Sequence, residues 1–439
     1  MKENFDTICA PSTPLKESGI AVIRISGPSA LKIAETVFET NKKIEPERTI
    51  RGKIKIEEVE DRAILLYFKG PNSYTGEDVI ELQIHGNPVL VRKLIEVLVH
   101  NGCRLAEPGE FTKRAFLNGK MDLIQAEAVA RLISAKSEKA LKVASRIRGG
   151  ELSERILELR ENLLKLLVLV EGSIEFPDDV EVPEEEIIEG MKRVREAIMD
   201  LIEKGKEGRK IFEGYKVVII GKPNVGKSTL FNKFLGFERA IVSPYPGTTR
   251  DYIDSVIFLD GKEMRFYDTA GLRNSFEPVE ERGIKITNRL KEEADIIVLL
   301  FDGSEPPADD DLHLIKSMKE NSIPVLNKID KGINKGWEKM DINFLKISAL
   351  TGEGVEELKK EIVKSFSDEI GDEIFVTEIR HIKLLEEAEK ELKSALETPK
   401  NLELLAESLR LVNKKLEELI GITTDEVIDE IFKNFCVGK

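Results

Sequence analysis

Cysteine and histidine are scarce in this chain of 439 residues, which contains three of the former and four of the latter. The cysteines Cys9, Cys103 and Cys436 lie far apart, which argues against a disulfide framework and is typical of a reducing compartment. The lack of a C-x-x-C pair or a histidine cluster argues against a structural zinc site. No apolar run reaches membrane-spanning length, and the N-terminus lacks the basic-then-apolar pattern of a secretory signal. We therefore expect a cytoplasmic protein without a membrane segment.

Positive charge is in the minority as well, because the formal net charge is −14. A net charge of this sign argues against non-specific binding of nucleic acid over the whole surface, but it does not exclude a local basic patch. With 41% apolar and 34% charged residues, the composition is ordinary for a globular protein. The length predicts two to four domains.

The first 118 residues predict an α+β domain. Short β-branched runs of roughly alternating polarity predict strands, and two segments have apolar residues at helical spacing. The predicted strands are Thr7–Ala10, Ile20–Ser26, Ile50–Ile56, Ala63–Phe68 and Val79–His85, and the predicted helices are Pro28–Phe38 and Pro88–His100.

Residues 119–213 and 372–439 predict one all-α domain whose two parts pack together. In the first part, apolar residues recur every three or four positions, which predicts one or two long helices bent at Gly149-Gly150 and a further helix from Glu184 to Lys210. In the second part, Thr423 and Glu426 predict a capping box for the last helix. Three helices are predicted there: from about Thr377 to Leu396, Leu402–Ile420 and Asp425–Phe435.

Residues 214–371 alternate strand and helix and predict a doubly wound α/β domain inserted into the helical one. The strands are short and almost continuously apolar, as is typical of buried parallel strands. They are Lys216–Ile220, Ser255–Leu259, Met264–Asp268, Ile296–Phe301, Ile323–Asn327 and Phe344–Ser348.

The segment Gly221–Ser228 reads G-K-P-N-V-G-K-S and fits the pattern G-x-x-x-x-G-K-[ST] completely. It joins a predicted strand to a predicted helix, the arrangement in which such a loop turns its amide N–H groups toward phosphate oxygens. Lys227 would then contact the outer phosphates, and Ser228 would bind magnesium. An ordinary strand-turn-helix with chance glycines is the plain alternative. The expected nucleotide contacts in this segment are Asn224, Val225, Gly226, Lys227, Ser228 and Thr229.

A second motif predicts that the nucleotide is GTP. Asn327-Lys328-Ile329-Asp330 ends an apolar strand, and the Asp330 carboxylate can accept hydrogen bonds from both the guanine N1–H and its 2-amino group. Adenine offers no such pair of donors, so it would leave the carboxylate unsatisfied. Ser348-Ala349-Leu350, after a later strand, would add a backbone contact to the guanine O6.

Two further segments predict the switch of a GTPase, which the γ-phosphate orders and hydrolysis releases. In Asp268-Thr269-Ala270-Gly271, Asp268 would hold magnesium through water and the Gly271 N–H would contact the γ-phosphate. In Gly247–Asp251, the Thr249 hydroxyl is the expected second magnesium ligand. The next residue after the first motif is Leu272, which cannot orient water as a glutamine would, so either hydrolysis is slow or another group orients the water. Glu280 is a candidate for that task, although a solvated acidic loop is the plain alternative.

At these motifs the chain resembles the MnmE (TrmE) family of tRNA-modification GTPases, and the resemblance covers nearly the whole sequence. Four segments match in the α/β domain, although Era and Der GTPases share them: Asn224–Thr229, Gly247–Asp251, Asp268–Arg273 and Asn327–Asp330. The more specific matches lie outside that domain: Ile20–Gly27, Pro71–His85, Glu107–Leu123 and the F-C-V-G-K tail Phe435–Lys439.

The resemblance implies a folate-binding and dimer-forming N-terminal domain that uses 5,10-methylene- or 5-formyl-tetrahydrofolate. The folate-contacting positions carried over are Arg24, Glu81, Lys120 and Lys439. A carboxylate suits the pterin N–H edge and cations suit the glutamate carboxylates. Without the resemblance, ordinary ion pairs would explain these residues. Cys436 is either chemically active or part of a tail that only positions Lys439.

The resemblance also implies that the two G domains of a homodimer meet around potassium, which supplies charge where other GTPases use an arginine finger. The implied potassium ligands are Asn224, Ser243, Tyr245 and Thr248, and Glu280 matches a water-orienting catalytic glutamate. Arg273 matches a switch arginine of open role. Together with Lys227 and Asp268, Glu280 completes the expected catalytic set.

The implied function is GTP hydrolysis within a tRNA-modifying heterotetramer. An FAD- and NADH-dependent MnmG (GidA)-like partner would cooperate in adding an aminomethyl or carboxymethylaminomethyl group at C5 of uridine 34. One alternative is a ribosome-assembly GTPase of the Era/Der type, but the sequence shows no KH-type G-x-x-G loop or basic tail for RNA. Another is a signalling GTPase with a helical dimerisation arm, which leaves the N-terminal domain and the tail unexplained.

Overall fold

The computed structural model describes residues 6–175, 184–237, 255–268, 292–366, 373–397, 401–433 and 435–438. The chain divides into two compact units. Unit 1 comprises Met1–Ser134, Ala144–Ile202 and Ile379–Lys439, and unit 2 comprises Ala135–Val143 and Glu203–Glu378. The domain limits predicted above are finer than this division and stay a prediction.

The described part of the chain is rich in strands up to Leu105, helical from Glu110 to Glu213, mixed from Tyr215 to Lys364 and helical again from Ile379. The strands are β1 (Ile8–Pro11), β2 (Ser18–Ser26), β3 (Phe38–Glu39), β4 (Thr49–Ile56), β5 (Val59–Phe68), β6 (Val79–Gly86), β7 (Arg104–Leu105), β8 (Tyr215–Ile220), β9 (Ser255–Leu259), β10 (Lys262–Asp268), β11 (Ile296–Asp302), β12 (Ser322–Asn327) and β13 (Leu345–Lys346). The helices are α1 (Ala30–Glu35), α2 (Pro88–His100), α3 (Glu110–Leu117), α4 (Leu123–Ser134), α5 (Glu138–Arg148), α6 (Glu151–Glu175), α7 (Glu184–Glu213), α8 (Lys227–Phe237), α9 (Asp309–Lys316), α10 (Lys335–Glu338), α11 (Val355–Lys364), α12 (Ile379–Glu397), α13 (Leu402–Ile420) and α14 (Asp425–Phe432).

Unit 1 contains a sheet of seven strands in the order β3-β4-β5-β6-β2-β1-β7, as far as the described residues show. All neighbours are antiparallel except β1 and β7. Side chains alternate across the sheet, so that Ile23, Ile25 and Leu82 point into a core shared with Leu94 and Leu98 of α2. The opposite face carries polar side chains of the same strands, among them Arg24, Glu81 and Gln83.

The helices of unit 1 include α6 and α13, which pack together although more than 200 residues separate them in sequence. Leu163 and Leu416 are fully buried, and Arg160 donates to Glu417 at 2.5 Å. The helix predicted after residue 119 is interrupted twice, between α4 and α5 and again at Gly149-Gly150, where Gly150 has a φ of 103°. No helix in the described part of the chain is long and apolar enough to cross a membrane.

Unit 2 holds a sheet of six strands in the described residues, in the order β13-β12-β11-β8-β10-β9. Four of its five strand pairs are parallel, which confirms the doubly wound α/β class and, with unit 1, the predicted multidomain fold class. The parallel assignment of Ser255–Leu259 is wrong, because β9 pairs antiparallel with β10. Asp260 and Gly261 both have positive φ, the geometry of a tight hairpin turn that matches strand twist.

One helix start also differs from its prediction. The N-cap of α14 is Thr424 rather than Thr423, and its side chain makes no capping hydrogen bond. The helix begins one residue later than a Thr423–Glu426 capping box requires, so Glu426 lies in the first turn instead of at the third position. By contrast, Asn401 caps α13 by accepting from the Leu404 N–H, and that helix has the predicted bounds.

Candidate nucleotide-binding site

The loop Gly221–Ser228 connects β8, an inner strand of the unit 2 sheet, to α8. It lies at the carboxyl edge of the parallel strands, where α/β sheets bind ligands. Close packing explains both glycines: a Cβ on Gly221 would lie 2.3 Å from the Leu300 carbonyl oxygen, and one on Gly226 would lie 2.3 Å from Asn327 Nδ2. The loop therefore depends on glycine at these positions for steric reasons.

Lys227, the first residue of α8, is 7% exposed and points back into the loop. Its Nζ donates to the carbonyl oxygens of Gly221 at 2.8 Å and Lys222 at 2.7 Å. The curve of the loop thus holds one fixed ammonium next to the N-terminal end of a helix. This is the arrangement that binds phosphate in proteins.

Asn327 joins the two predicted nucleotide motifs. Its Nδ2 donates to the Val225 carbonyl of the phosphate loop at 2.7 Å, and its Oδ1 accepts from the Ala349 N–H at 2.8 Å. The side chain is almost fully buried, so both bonds form away from water and tie three segments together. The segments predicted from separate motifs are therefore one site.

Asp330 lies in a short 3-10 helix, Ile329–Lys331, beside the Ser348-Ala349-Leu350 segment. The buried Ser348 hydroxyl donates to Asp330 Oδ1 at 2.6 Å, which fixes the carboxylate and leaves Oδ2 to accept from a ligand. Leu350 is 72% exposed and does not contribute to the core. A carboxylate held in this way is suited to read two adjacent N–H donors on a base.

Two acidic residues that the motifs did not reveal complete the site. Asp302, at the end of β11, accepts from Lys328 Nζ at 2.5 Å and from the Ser304 N–H and hydroxyl. Burial opposes ionisation, but these bonds outweigh it and lower the pKa of Asp302. Asp311 of α9 accepts from Lys222 Nζ at 2.9 Å. In the sequence, only the position of Asp302 at the end of an apolar strand could have indicated that it belongs to this site.

The switch segments lie outside the described residues. This applies to Ser243, Tyr245, Thr248, Thr249, Thr269, Ala270, Gly271, Arg273 and Glu280, to the side chain of Asp268, and to Lys439 of the tail. Ser228 and Thr229 lie in the first turn of α8, and Asn224 has a φ of 64° within the loop. The magnesium, potassium and catalytic assignments thus stay predictions.

In unit 1, the structure brings Arg24 and Glu81 together as a cross-strand ion pair between β2 and β6. Arg24 Nε and Nη2 donate to Glu81 Oε1 at 3.0 and 2.7 Å, and the guanidinium lies over the rings of Tyr74 and Phe111. Within the described residues, Lys120 makes no bond to this pair, and its Nζ donates to the Pro71 carbonyl at 2.9 Å instead.

The tail packs against the N-terminal domain. Val437 bridges to Pro108, the Gly109 N–H donates to the Cys436 carbonyl at 3.2 Å, and the Ser12 hydroxyl donates to the Gly438 carbonyl at 3.3 Å. Cys436 itself is exposed. These contacts hold the residue before Lys439 at the end of β1, the strand next to the one that carries Arg24.

Comparison with known protein families gives two matches. Residues 7–120 match the model described as the GTP-binding protein TrmE N-terminus, and residues 123–436 match the MnmE helical domain. Together the two models span almost the whole chain, and the second alone spans well over half of it.

Full-length relatives agree with these models. The chain is 42% identical over 99% of its length to the whole tRNA modification GTPase MnmE of Aquifex aeolicus, and 38% identical over 99% to that of Thermotoga maritima. It is also similar to the G domain of the T. maritima FeoB iron transporter, with 30% identity over 35% of this chain and 99% of that one, at a TM-score of 0.27. On the family models and the full-length relatives, this chain belongs to the MnmE family of tRNA modification GTPases.

Proposed function

We propose that this protein hydrolyses GTP and acts in the modification of tRNA. The observation that carries the proposal is the Asn327 side chain, which joins the phosphate loop to the Ala349 segment beside Asp330. Hydrogen bonds through Asn327 thus connect the loop suited to bind phosphate with the segment suited to bind guanine, and such a site is suited to GTP. The match to MnmE relatives over 99% of the chain supports tRNA modification rather than a ribosome-assembly role, which would leave unit 1 unexplained.

Each residue of the site has a definite task in this proposal. Lys227 and the loop N–H groups hold the outer phosphates in line for attack, Ser228 binds the magnesium ion, and Asp330 selects guanine. Magnesium, when bound, neutralises charge that develops on the phosphate oxygens. Because Leu272 cannot orient water, we assign the orienting role to Glu280. Hydrolysis releases GDP and phosphate and changes the switch segments.

For the modification step, we assign a reduced folate to the sheet face that carries Arg24 and Glu81. The pair is mostly shielded, with side-chain exposures of 14% and 19%, and both of its bonds use one carboxylate oxygen, Oε1. Glu81 Oε2 is then available to accept from the N–H edge of a pterin while Arg24 fixes the carboxylate through Oε1. The folate would supply the one-carbon unit, with an FAD-binding MnmG-like partner and a second copy of this chain completing the enzyme.

We expect a strain that lacks this gene to lose the C5 substituent from uridine 34 of a subset of tRNAs. Nucleoside mass spectrometry of purified tRNA would measure the loss. Supplying the wild-type gene should restore the modified nucleoside, whereas a Lys227→Ala copy should not, because its phosphate loop lacks the ammonium. Wobble uridines that are the same with and without the gene would contradict the proposed function.

GTP turnover should be at least about tenfold faster in potassium than in sodium at equal ionic strength, since the cation stands in for an arginine finger, whose contribution is roughly 10³–10⁵. Steady-state phosphate release would measure it. An Asn224→Ala variant should lose the difference between the two salts yet still bind GDP. Equal wild-type rates in both salts would count against the potassium assignment but not against GTP hydrolysis.

A further inference from the structure

A cavity of about 820 Å³ lies on the sheet of unit 1, lined mainly by β2, β4, β5 and β6 and by the segment after β3. Its cationic lining residues are Lys42, Arg51, Lys53 and Arg62, and its one acidic lining residue is Glu39. We call this cavity the basic groove. In a chain with a net charge of −14, a concave surface with this sign is a local exception that indicates an anionic ligand.

Among the described residues, three of these cations have no carboxylate within ion-pair distance: Lys42, Arg51 and Arg62. Lys53, by contrast, pairs with Glu60 at 3.0 Å, and His85 contacts Asp61 at 2.5 Å. The register also sets Lys53 directly opposite Arg62. Like charges at paired positions destabilise a sheet. An anion bound between Lys53 and Arg62 would reduce their electrostatic repulsion.

The basic groove continues the face that carries the Arg24–Glu81 pair. Side chains of β6 alternate, so Glu81, Gln83 and His85 point to the same side, away from the core. Arg24 lies opposite Glu81, Ile64 opposite Gln83, and Arg51 opposite Ile64. Two residues along a strand span about 7 Å, and neighbouring strands lie about 4.8 Å apart. The groove therefore begins about 7 Å from Glu81, at Gln83 of the same strand.

We propose that the basic groove binds the γ-linked glutamate tail of a polyglutamylated reduced folate whose pterin is held at Arg24 and Glu81. This inference rests on the folate assignment made above and adds the form of the substrate. Each added glutamate brings one further carboxylate, and the strand register places Arg51 and Arg62 on this face, where a chain of carboxylates along the sheet would contact them. Guanidinium groups bind carboxylates in a two-pronged manner that lysine cannot reproduce.

Titration calorimetry with 5-formyl-tetrahydrofolate carrying one or three glutamates would test the proposal on the full chain. We expect the wild-type protein to bind the triglutamate about tenfold more tightly, since two partly exposed charge pairs contribute roughly that much. The preference should decrease as salt is raised, because exposed charges are screened.

The double variant Arg51→Gln/Arg62→Gln should bind both ligands with the affinity that the wild type has for the monoglutamate. The control, Lys32→Gln/Arg92→Gln, removes the same charge from exposed positions on α1 and α2, the helices on the opposite face of the sheet, and should keep the preference. Thermal unfolding checks that each variant is folded, and either single variant should lose part of the preference if the double variant unfolds.

The outcomes separate this inference from the folate assignment. Monoglutamate binding without any preference for the longer tail would overturn the inference alone, whereas no binding of either ligand would overturn both. If the double variant loses affinity for tRNA while keeping the tail preference, the groove contacts RNA instead. If it changes from dimer to monomer in sedimentation while keeping that preference, a second copy covers the groove. Either result would overturn the proposal.

Discussion

Replacing Asp330 with asparagine should lower the affinity for GTP at least about 100-fold and should create affinity for xanthosine triphosphate. The guanine edge presents two donors, N1–H and the 2-amino group, and a carboxylate accepts both. Asparagine offers one acceptor and one donor, so one guanine donor meets another donor. Each charge-assisted hydrogen bond contributes about 1.5–3 kcal/mol, and about 2.7 kcal/mol corresponds to 100-fold.

Xanthine carries a carbonyl where guanine carries the 2-amino group, so its edge matches the donor and acceptor of asparagine. The surroundings of Asp330 allow the exchange, because the Ser348 hydroxyl bonds to Oδ1, an atom that asparagine keeps. The Asn327 bridge to Val225 and Ala349 does not involve Asp330 and should persist. Only the reading of the base then changes.

Displacement of a fluorescent guanine nucleotide by GTP and by xanthosine triphosphate would measure both effects. A matched control is Asp309→Asn, which removes the same charge from an exposed position in the first turn of α9 and should leave both affinities unchanged. If Asp330→Asn weakened both nucleotides equally, the residue would support the loop rather than read guanine.

Replacing Glu127 with glutamine should destabilise unit 1 by about 3 kcal/mol at pH 7. Glu127 of α4 is 7% exposed and accepts from Arg380 through both carboxylate oxygens, at 3.1 and 2.9 Å, and contacts His381 Nε2 at 2.6 Å. Burial alone would raise the pKa of Glu127, but His381 and Arg380 outweigh it and lower the pKa from its usual 4.5 to about 2. A shift of this size corresponds to about 3 kcal/mol.

The sign of the pH dependence follows from this lowered pKa. The folded protein keeps Glu127 ionised more strongly than the unfolded chain does, so the stabilisation is complete above about pH 4.5. It is lost progressively as the pH falls toward 2, because the unfolded state then takes up the proton first. Urea unfolding should therefore show a large difference between wild type and Glu127→Gln at pH 7 and a much smaller one at pH 2.5.

Two internal controls belong to this measurement. Glu171→Gln breaks the exposed pair with Arg410 and should cost less than about 1 kcal/mol. The only tryptophan, Trp337, lies in unit 2, so its fluorescence should follow a transition that Glu127→Gln leaves in place, while helical circular dichroism also follows unit 1. A Glu127→Gln loss no larger than that of Glu171→Gln would contradict the prediction.

The features set by residues close together in sequence, such as helix starts and the phosphate loop, could be predicted from the sequence. Helix α2 begins at Pro88 as predicted, because Asn87 caps it and proline suits a first turn. The phosphate loop could be recognised because glycine, lysine and serine at fixed spacing are needed for one local geometry. Its connection to Asp330 through Asn327 required three elements to meet, but the carboxyl edge of a parallel sheet makes that meeting expected.

Features that depend on distant residues could not be predicted in this way. The apolar run Ser255–Leu259 is the same whether its neighbour runs parallel or antiparallel, and only the Asp260-Gly261 turn decides between them. Glu127 and Arg380 are separated by more than 250 positions, so nothing near either residue indicated the pair. The basic groove likewise arises from strand register, which sets Lys53 against Arg62.

The discontinuity of unit 1 has a consequence for how the protein is made. Every segment of unit 2 has left the ribosome once Glu378 has emerged, whereas unit 1 still lacks Ile379–Lys439 at that moment. Until α13 is translated, the apolar stripe of α6 that includes Leu159 and Leu163 lacks the helix against which it packs most extensively in the folded chain. The nascent chain therefore exposes apolar side chains of α6 after all of unit 2 has been synthesised. We expect chaperones that shield apolar surface during synthesis to bind this helix.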